Sequence, residues 1–437
     1  MRRALAATIA LAVGGLAAPA GAQPDGQTIA IVHGTLWPGD GDPVANATVV
    51  VRDGRVVSVT PGGAPPAGAR VIDAGDGVIT PGFVGTQTAL GLVEISLEPS
   101  TVDEAPQEDD PDPVRASFSA ADGYNPTSTL VPVARRGGVT SVVSTPRGGL
   151  VSGTSAWMDL AGGTLDEVMA EEATALHVNL DDGGVEAAGG ARPSALGRLR
   201  EALDDARLYR QRRASYDRRG LRELSLSRLD LERLAQALAG DLPVVVRVAR
   251  SHDILRVLSL ASDYGIDLVL AGAEEGWMVA QQIADADVPV IVQPMTNLPS
   301  QFSRLHSRYD NAARLEQAGV RVVLSTGGAH GVRNLRQEAG NAIATGLSRE
   351  AALRGLTVEP ARVFGLDDRY GTVAPGRVAN LVIWTGDPFE VTTWARGVLV
   401  RGRDVPLASR QTLLFERYRD LERVPRGQRG LPRRSDD

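Results

Sequence analysis

Between about residues 83 and 370 the chain alternates short apolar runs with stretches of helical period, and few folds accept that pattern. The apolar runs lie at 140–143, 243–248, 267–270, 289–292 and 320–324. Each is brief and rich in Val, Ile or Leu, as a strand buried on both faces would be. The stretches between them space apolar residues three and four apart, as Leu199, Ala202, Leu203 and Ala206 do within a helix expected at 198–210. Further helices are expected at 228–239, 254–264, 275–286, 309–317 and 348–356. Strands alternating with helices make βαβ units on a parallel sheet. About eight such units have the size of a (β/α)8 barrel of the TIM type.

Both ends of the chain read differently. Thr48-Val49-Val50-Val51 and Val56-Val57-Ser58-Val59 flank Asp53-Gly54, and Asp-Gly between β-branched runs is a strong hairpin signal. Val78-Ile79 continues the strand pattern until Pro81-Gly82 breaks it, and strands return at Leu381-Val382-Ile383-Trp384 and Gly397-Val398-Leu399-Val400. The economical arrangement is one small composite β-sandwich built from both ends. The chain then divides into a signal peptide (1–22), a sandwich (23–80 with 371–405), a barrel (81–370) and a tail (406–437). That tail is helical over 408–422 and disordered from 425.

Composition excludes several chemistries. Among 437 residues there is no cysteine and no lysine, so all 46 basic residues are arginine. Disulfides, thiolate metal sites, Schiff-base chemistry and phosphate-loop NTPases are therefore ruled out. A net charge of −7 argues against nucleic acid as a partner. Arg2 and Arg3, the apolar run 4–17 and Ala20-Gly21-Ala22 fit an export signal, which places the mature chain in the periplasm or outside the cell. That run falls short of the roughly 20 apolar residues a membrane span needs, and no later window approaches one.

At several points the residues carry a family likeness. Val78-Ile79-Thr80-Pro81-Gly82-Phe83-Val84 resembles the strand that enters the barrel in the amidohydrolase superfamily. Leu356-Thr357-Val358-Glu359-Pro360-Ala361 and the stretch from Gly371 to Pro388 resemble its barrel exit and return to the sandwich. Within the superfamily the likeness is to the imidazolonepropionase-like branch. There a strand is followed by an Asp-Ile pair (here Asp253-Ile254) and a Glu-Gly segment (here Glu275-Gly276), and the match spans about 28–400. The resemblance implies hydrolysis of a C–N bond in a cyclic amide, dipeptide or similar small substrate. It also implies zinc or another divalent metal at the C-terminal ends of the strands. The ligands it implies are His-x-His on the first strand, one His each on the fifth and sixth, and an Asp on the eighth.

None of those ligands stands in this sequence. The five positions fall on Gln87, Ala89, Arg247, Gly272 and Gly327, and a carboxylated lysine cannot exist in a lysine-free chain. Gln is a poor neutral ligand, and Ala and Gly are none. A fixed arginine charge there would oppose a divalent ion by about 8 kcal/mol at 4 Å and an effective dielectric of 20. The expectation is no catalytic metal and no cofactor. The chain then reads as a non-catalytic family member that binds a small, anionic ligand, as a homo-oligomer or paired with an active relative. The alternative is an active hydrolase with a rearranged site.

Other candidates carry two readings each. His177, His252 and His330 fall near the C-terminal ends of barrel strands, either as pocket polar groups, even an improvised metal site, or as loop histidines bonded to backbone. His33 lies in the sandwich. Arg247 either holds a carboxylate bidentately or pairs internally with an acid. No Gly-x-Ser-x-Gly elbow is present for a serine hydrolase. The acidic stretch 103–112 is a lid, a calcium loop or a solvated insertion, and arginine-rich 207–222 is a nucleic-acid patch or a solvated face.

Overall fold

The computed structural model describes residues 27–107 and 111–419. The signal segment 1–22, the far tail and part of the acidic stretch lie outside the described residues. Six strands open the chain: β1 (Ile29–Val32), β2 (Thr35–Leu36), β3 (Ala47–Arg52), β4 (Arg55–Pro61), β5 (Arg70–Asp73) and β6 (Val78–Pro81). Asp53 and Gly54 turn the β3–β4 hairpin with φ of +49° and +76°, the pair of left-handed residues that a two-residue hairpin loop requires.

Eight strands follow in one sheet. They are β7 (Phe83–Thr88), β8 (Val139–Ser144), β9 (Val151–Asp159), β10 (Met169–Asn179), β11 (Val244–Val248), β12 (Leu268–Gly272), β13 (Val290–Val292) and β14 (Val322–Leu324). Their order in space is their order in sequence. No ladder joins β7 to β14 among the described residues. Side chains seam them instead: Ser325 Oγ donates to the Thr86 carbonyl and Thr88 Oγ1 to the Gly328 carbonyl, both at 2.7 Å. Val84, Val143, Trp157, Val245, Val269, Ile291 and Val323 meet inside and fill the barrel.

One strand departs from the expected βα repeat. β9 runs antiparallel to both β8 and β10, so seven strands are parallel and one is reversed. Only residues 145–150 link β8 to β9, too short for a parallel crossover, which needs a dozen or more residues. The helices lie close to their sequence positions. Arg228–Ala239 matches its expected bounds, Arg192–Gln211 and Ser251–Tyr264 start earlier, and 275–286 divides into a 3₁₀ turn Gly276–Val279 and a helix Ala280–Asp285.

The chain returns through β15 (Leu381–Trp384), β16 (Ala395–Val400) and β17 (Arg403–Asp404). β15 pairs antiparallel with β6, joining the two ends of the chain in the sheet β17-β16-β15-β6-β2. The other small sheet, β4-β3-β1-β5, packs against it through Ile29, Ile31, Val49, Leu381, Ile383 and Leu399. Beneath the barrel floor the fully buried Asp159 carboxylate accepts from Ser141 Oγ (2.7 Å), Tyr370 OH (2.8 Å), Asn380 Nδ2 (2.9 Å) and Arg401 Nε (2.5 Å). These partners come from the barrel, its exit and the returning strands, so one anion ties all three together. No described helix is long and apolar enough to cross a membrane.

Candidate functional site at the barrel mouth

At the C-terminal ends of the parallel strands the inward side chains turn from apolar to polar. Val245 is the last inward-facing apolar residue of β11, and Arg247, two residues on, points the same way. A cavity of about 610 Å³ opens there. Its wall carries two guanidinium groups (Arg147, Arg247), three amides (Gln87, Asn179, Gln293), three hydroxyls (Thr145, Ser152, Thr326) and His177. No described Asp or Glu lines it.

Arg247 is held from behind. Its Nε lies 3.4 Å from Asp181 Oδ2 and its Nη2 3.3 Å from Glu274 Oε1. Arg304, reaching over from the loop after β13, contacts the same two oxygens at 2.9 and 3.0 Å. The result is a four-membered network of two arginines and two buried acids. Burial pushes the Glu274 carboxyl above its ordinary range, against the opposing pull of Arg247 and Arg304. Among the described residues Asp181 Oδ1, Glu274 Oε2 and Arg304 Nε have no partner. Of the two readings of Arg247, the internal pair with acids is the one the structure shows. The residue also lines the cavity, and the two acids offset its charge there.

The three candidate histidines do not converge. His177, on β10, is buried, and its Nε2 lies 2.8 Å from Ser155 Oγ inside the barrel. Burial pushes its pKa down to about 3, so it stays neutral across physiological pH. His252 sits exposed at the start of the helix Ser251–Tyr264, outside the cavity lining. His330 is also exposed and borders a separate crevice with Glu94, Arg333 and Arg410. The arginine-rich stretch is internally paired, with Arg222 on buried Asp205 and Arg213 on Glu232, which also accepts from buried Tyr209. In the acidic stretch Glu104 pairs with Arg147 at 3.2 Å.

The five positions that the resemblance assigns to metal ligands can now be tested as a donor set. Gln87 lines the cavity with φ of +53°, and its amide nitrogen is buried without a partner among the described residues. Ala89 is buried and has no donor. Gly272 has φ of +80°, and a Cβ built on it would lie 2.8 Å from Glu274 Oε2 and 3.3 Å from Arg247 Nη1. Gly327 has φ of +62°, and its Cβ would lie 2.7 Å from the Gln293 amide nitrogen. The space a ligand side chain would need on β12 and after β14 is thus held by other residues, on backbone that L side chains rarely adopt. No group of three His, Asp or Glu among the described residues is placed to hold a metal ion. The residues present do not fit a divalent metal here. Sequence reasoning missed Asp181, Glu274 and Arg304. Acids directly after apolar strands signalled the first two, while Arg304 comes from a loop with no marker.

An eight-stranded barrel with its mouth at the strand C-termini, flanked by sheets from both chain ends, is a TIM-type barrel with an added β domain. Residues 230–405 match the model of the amidohydrolase family. Among solved structures it is similar to an amidohydrolase from Thermotoga maritima MSB8, with 25% identity and a TM-score of 0.79, covering 86% of this chain and 99% of that one. Molinate hydrolase matches at 19% identity and a TM-score of 0.55, covering 93% and 100%. A putative prolidase from Bifidobacterium longum matches at 15% and 0.54, covering 90% and 99%. The last two likenesses concern the fold.

Proposed function

We propose that this chain is an exported, non-catalytic member of the amidohydrolase family that binds a small anionic ligand in the barrel mouth. It would act as a homo-oligomer or as the partner of an active relative. The observation that carries this reading is the mouth itself, where two guanidinium groups and several neutral donors line a cavity that, among the described residues, has no acid in its wall and no metal donor set. Its volume lies within the roughly 300–1,000 Å³ usual for small-molecule sites. Export rests on the signal-like residues 1–22.

The test pairs turnover with binding. Purified protein is assayed on dipeptides and cyclic amides with added zinc or manganese, and its melting temperature is followed against small carboxylates. The reading expects no turnover, a thermal shift with a carboxylate, and loss of that shift in Arg247→Gln. A second reading, an active C–N hydrolase, is favoured by the likeness to the Thermotoga amidohydrolase along nearly its whole length. Metal-stimulated amide cleavage that scales with enzyme concentration would establish it and overturn the first.

A further inference from the structure

We infer that the ligand of the barrel mouth is a polyhydroxylated carboxylate of sugar-acid size, not a carboxylate with a hydrocarbon body. This rests on the ligand-binding reading above and specifies its chemistry. Among the described residues the apolar side chains of the wall are Pro146, Val178 and Val245, and no Phe, Tyr or Trp lines it. The remaining wall is amide, hydroxyl, guanidinium, imidazole and glycine backbone.

Several of these polar groups have capacity to spare. Asn179 spends its oxygen on the Asp181 amide at 3.0 Å, which leaves its nitrogen as a donor. Gln293 takes a long bond from Thr296 Oγ1 on its oxygen, at 3.4 Å, while its nitrogen flanks Gly327. Arg247 commits Nε and Nη2 to Asp181 and Glu274, and its Nη1 to neither acid.

A carboxylate on Arg247 uses a charge-assisted contact. Sugar hydroxyls both donate and accept, so each can answer an amide or hydroxyl of the wall. A hydrocarbon body of the same length would bury those groups with nothing to bond. Each unmatched group costs about tenfold in affinity.

The experiment is isothermal titration of the full chain with D-glucuronate, D-gluconate, hexanoate and glucose. Hexanoate keeps the carboxylate and loses every hydroxyl; glucose keeps the hydroxyls and loses the charge. Saturable binding of at least one sugar acid is expected, with hexanoate at least about a hundredfold weaker for two unmatched groups and glucose not saturating. Arg247→Gln should abolish sugar-acid binding. Because that change disturbs a buried charge network, Gln293→Met serves as the second variant and should weaken binding about tenfold with an unchanged melting temperature. Hexanoate binding as tightly as the sugar acids, neither sugar acid binding, or Gln293→Met without effect would each overturn the inference. Amide turnover alongside sugar-acid binding would defeat only the non-catalytic reading. A silent enzyme that prefers hexanoate would defeat only this one.

Discussion

At the residue scale the barrel mouth is governed by two buried features with different electrostatics. Arg304 shares Asp181 and Glu274 with Arg247, and all but 12% of its side chain is buried. Removing one partner of a buried charge network leaves the others uncompensated, so Arg304→Met should cost about 3–5 kcal/mol in urea denaturation. A loss under about 1 kcal/mol would mean the network is solvated like a surface pair. His177 is neutral in the native state down to about pH 3, against an ordinary value of 6.5. Below pH 6.5 the unfolded chain binds a proton that the native state refuses. Stability from this residue is therefore complete above 6.5 and lost progressively as pH falls towards 3. His177→Gln, which keeps a donor for Ser155, should flatten the stability profile between those values relative to the parent chain. An unchanged slope would show that His177 is hydrated.

At the element scale, strand existence is easier to read than strand direction. The apolar runs at 243–248, 267–270, 289–292 and 320–324 became β11 to β14 within two residues, because burial on both faces leaves an uninterrupted apolar signature. The reversed course of β9 carries no such signature, since 151–159 would look the same in either direction. Only the six-residue link before it bears on the question. Likewise, that Gln87, Ala89, Arg247, Gly272 and Gly327 are poor or impossible metal ligands is legible residue by residue. What packs around Gly272 and Gly327 is not, because Glu274 and Gln293 reach them through tertiary packing. The β7–β14 seam makes this scale testable. Ser325→Ala combined with Thr88→Val removes both side-chain bonds across it, at about 1 kcal/mol each. Hydrogen exchange of β14 amides should then quicken more than that of β11. Equal exchange in both strands would place the closure elsewhere.

At the scale of the whole molecule, the barrel and the two end sheets are coupled through Asp159. Its carboxylate collects donors from β8, from Tyr370 and Asn380 after the barrel, and from Arg401 after β16. Such a tie at the N-terminal face of a barrel serves stability, while the opposite face is left to bind. Asp159→Ala should leave the half-buried Arg401 without its anion, lower stability by about 2–3 kcal/mol and split thermal unfolding into two transitions. A single transition at the parent temperature would show that the sheets are joined by apolar packing alone.

The central proposal is a barrel mouth whose residues hold no divalent ion. Its most direct test is elemental analysis of the purified full chain after incubation with zinc, manganese and iron and removal of excess metal. No metal in stoichiometric amount is predicted, with the same result in Arg247→Gln. One zinc, manganese or iron retained per chain and lost to a chelator together with amide-cleaving activity would contradict it.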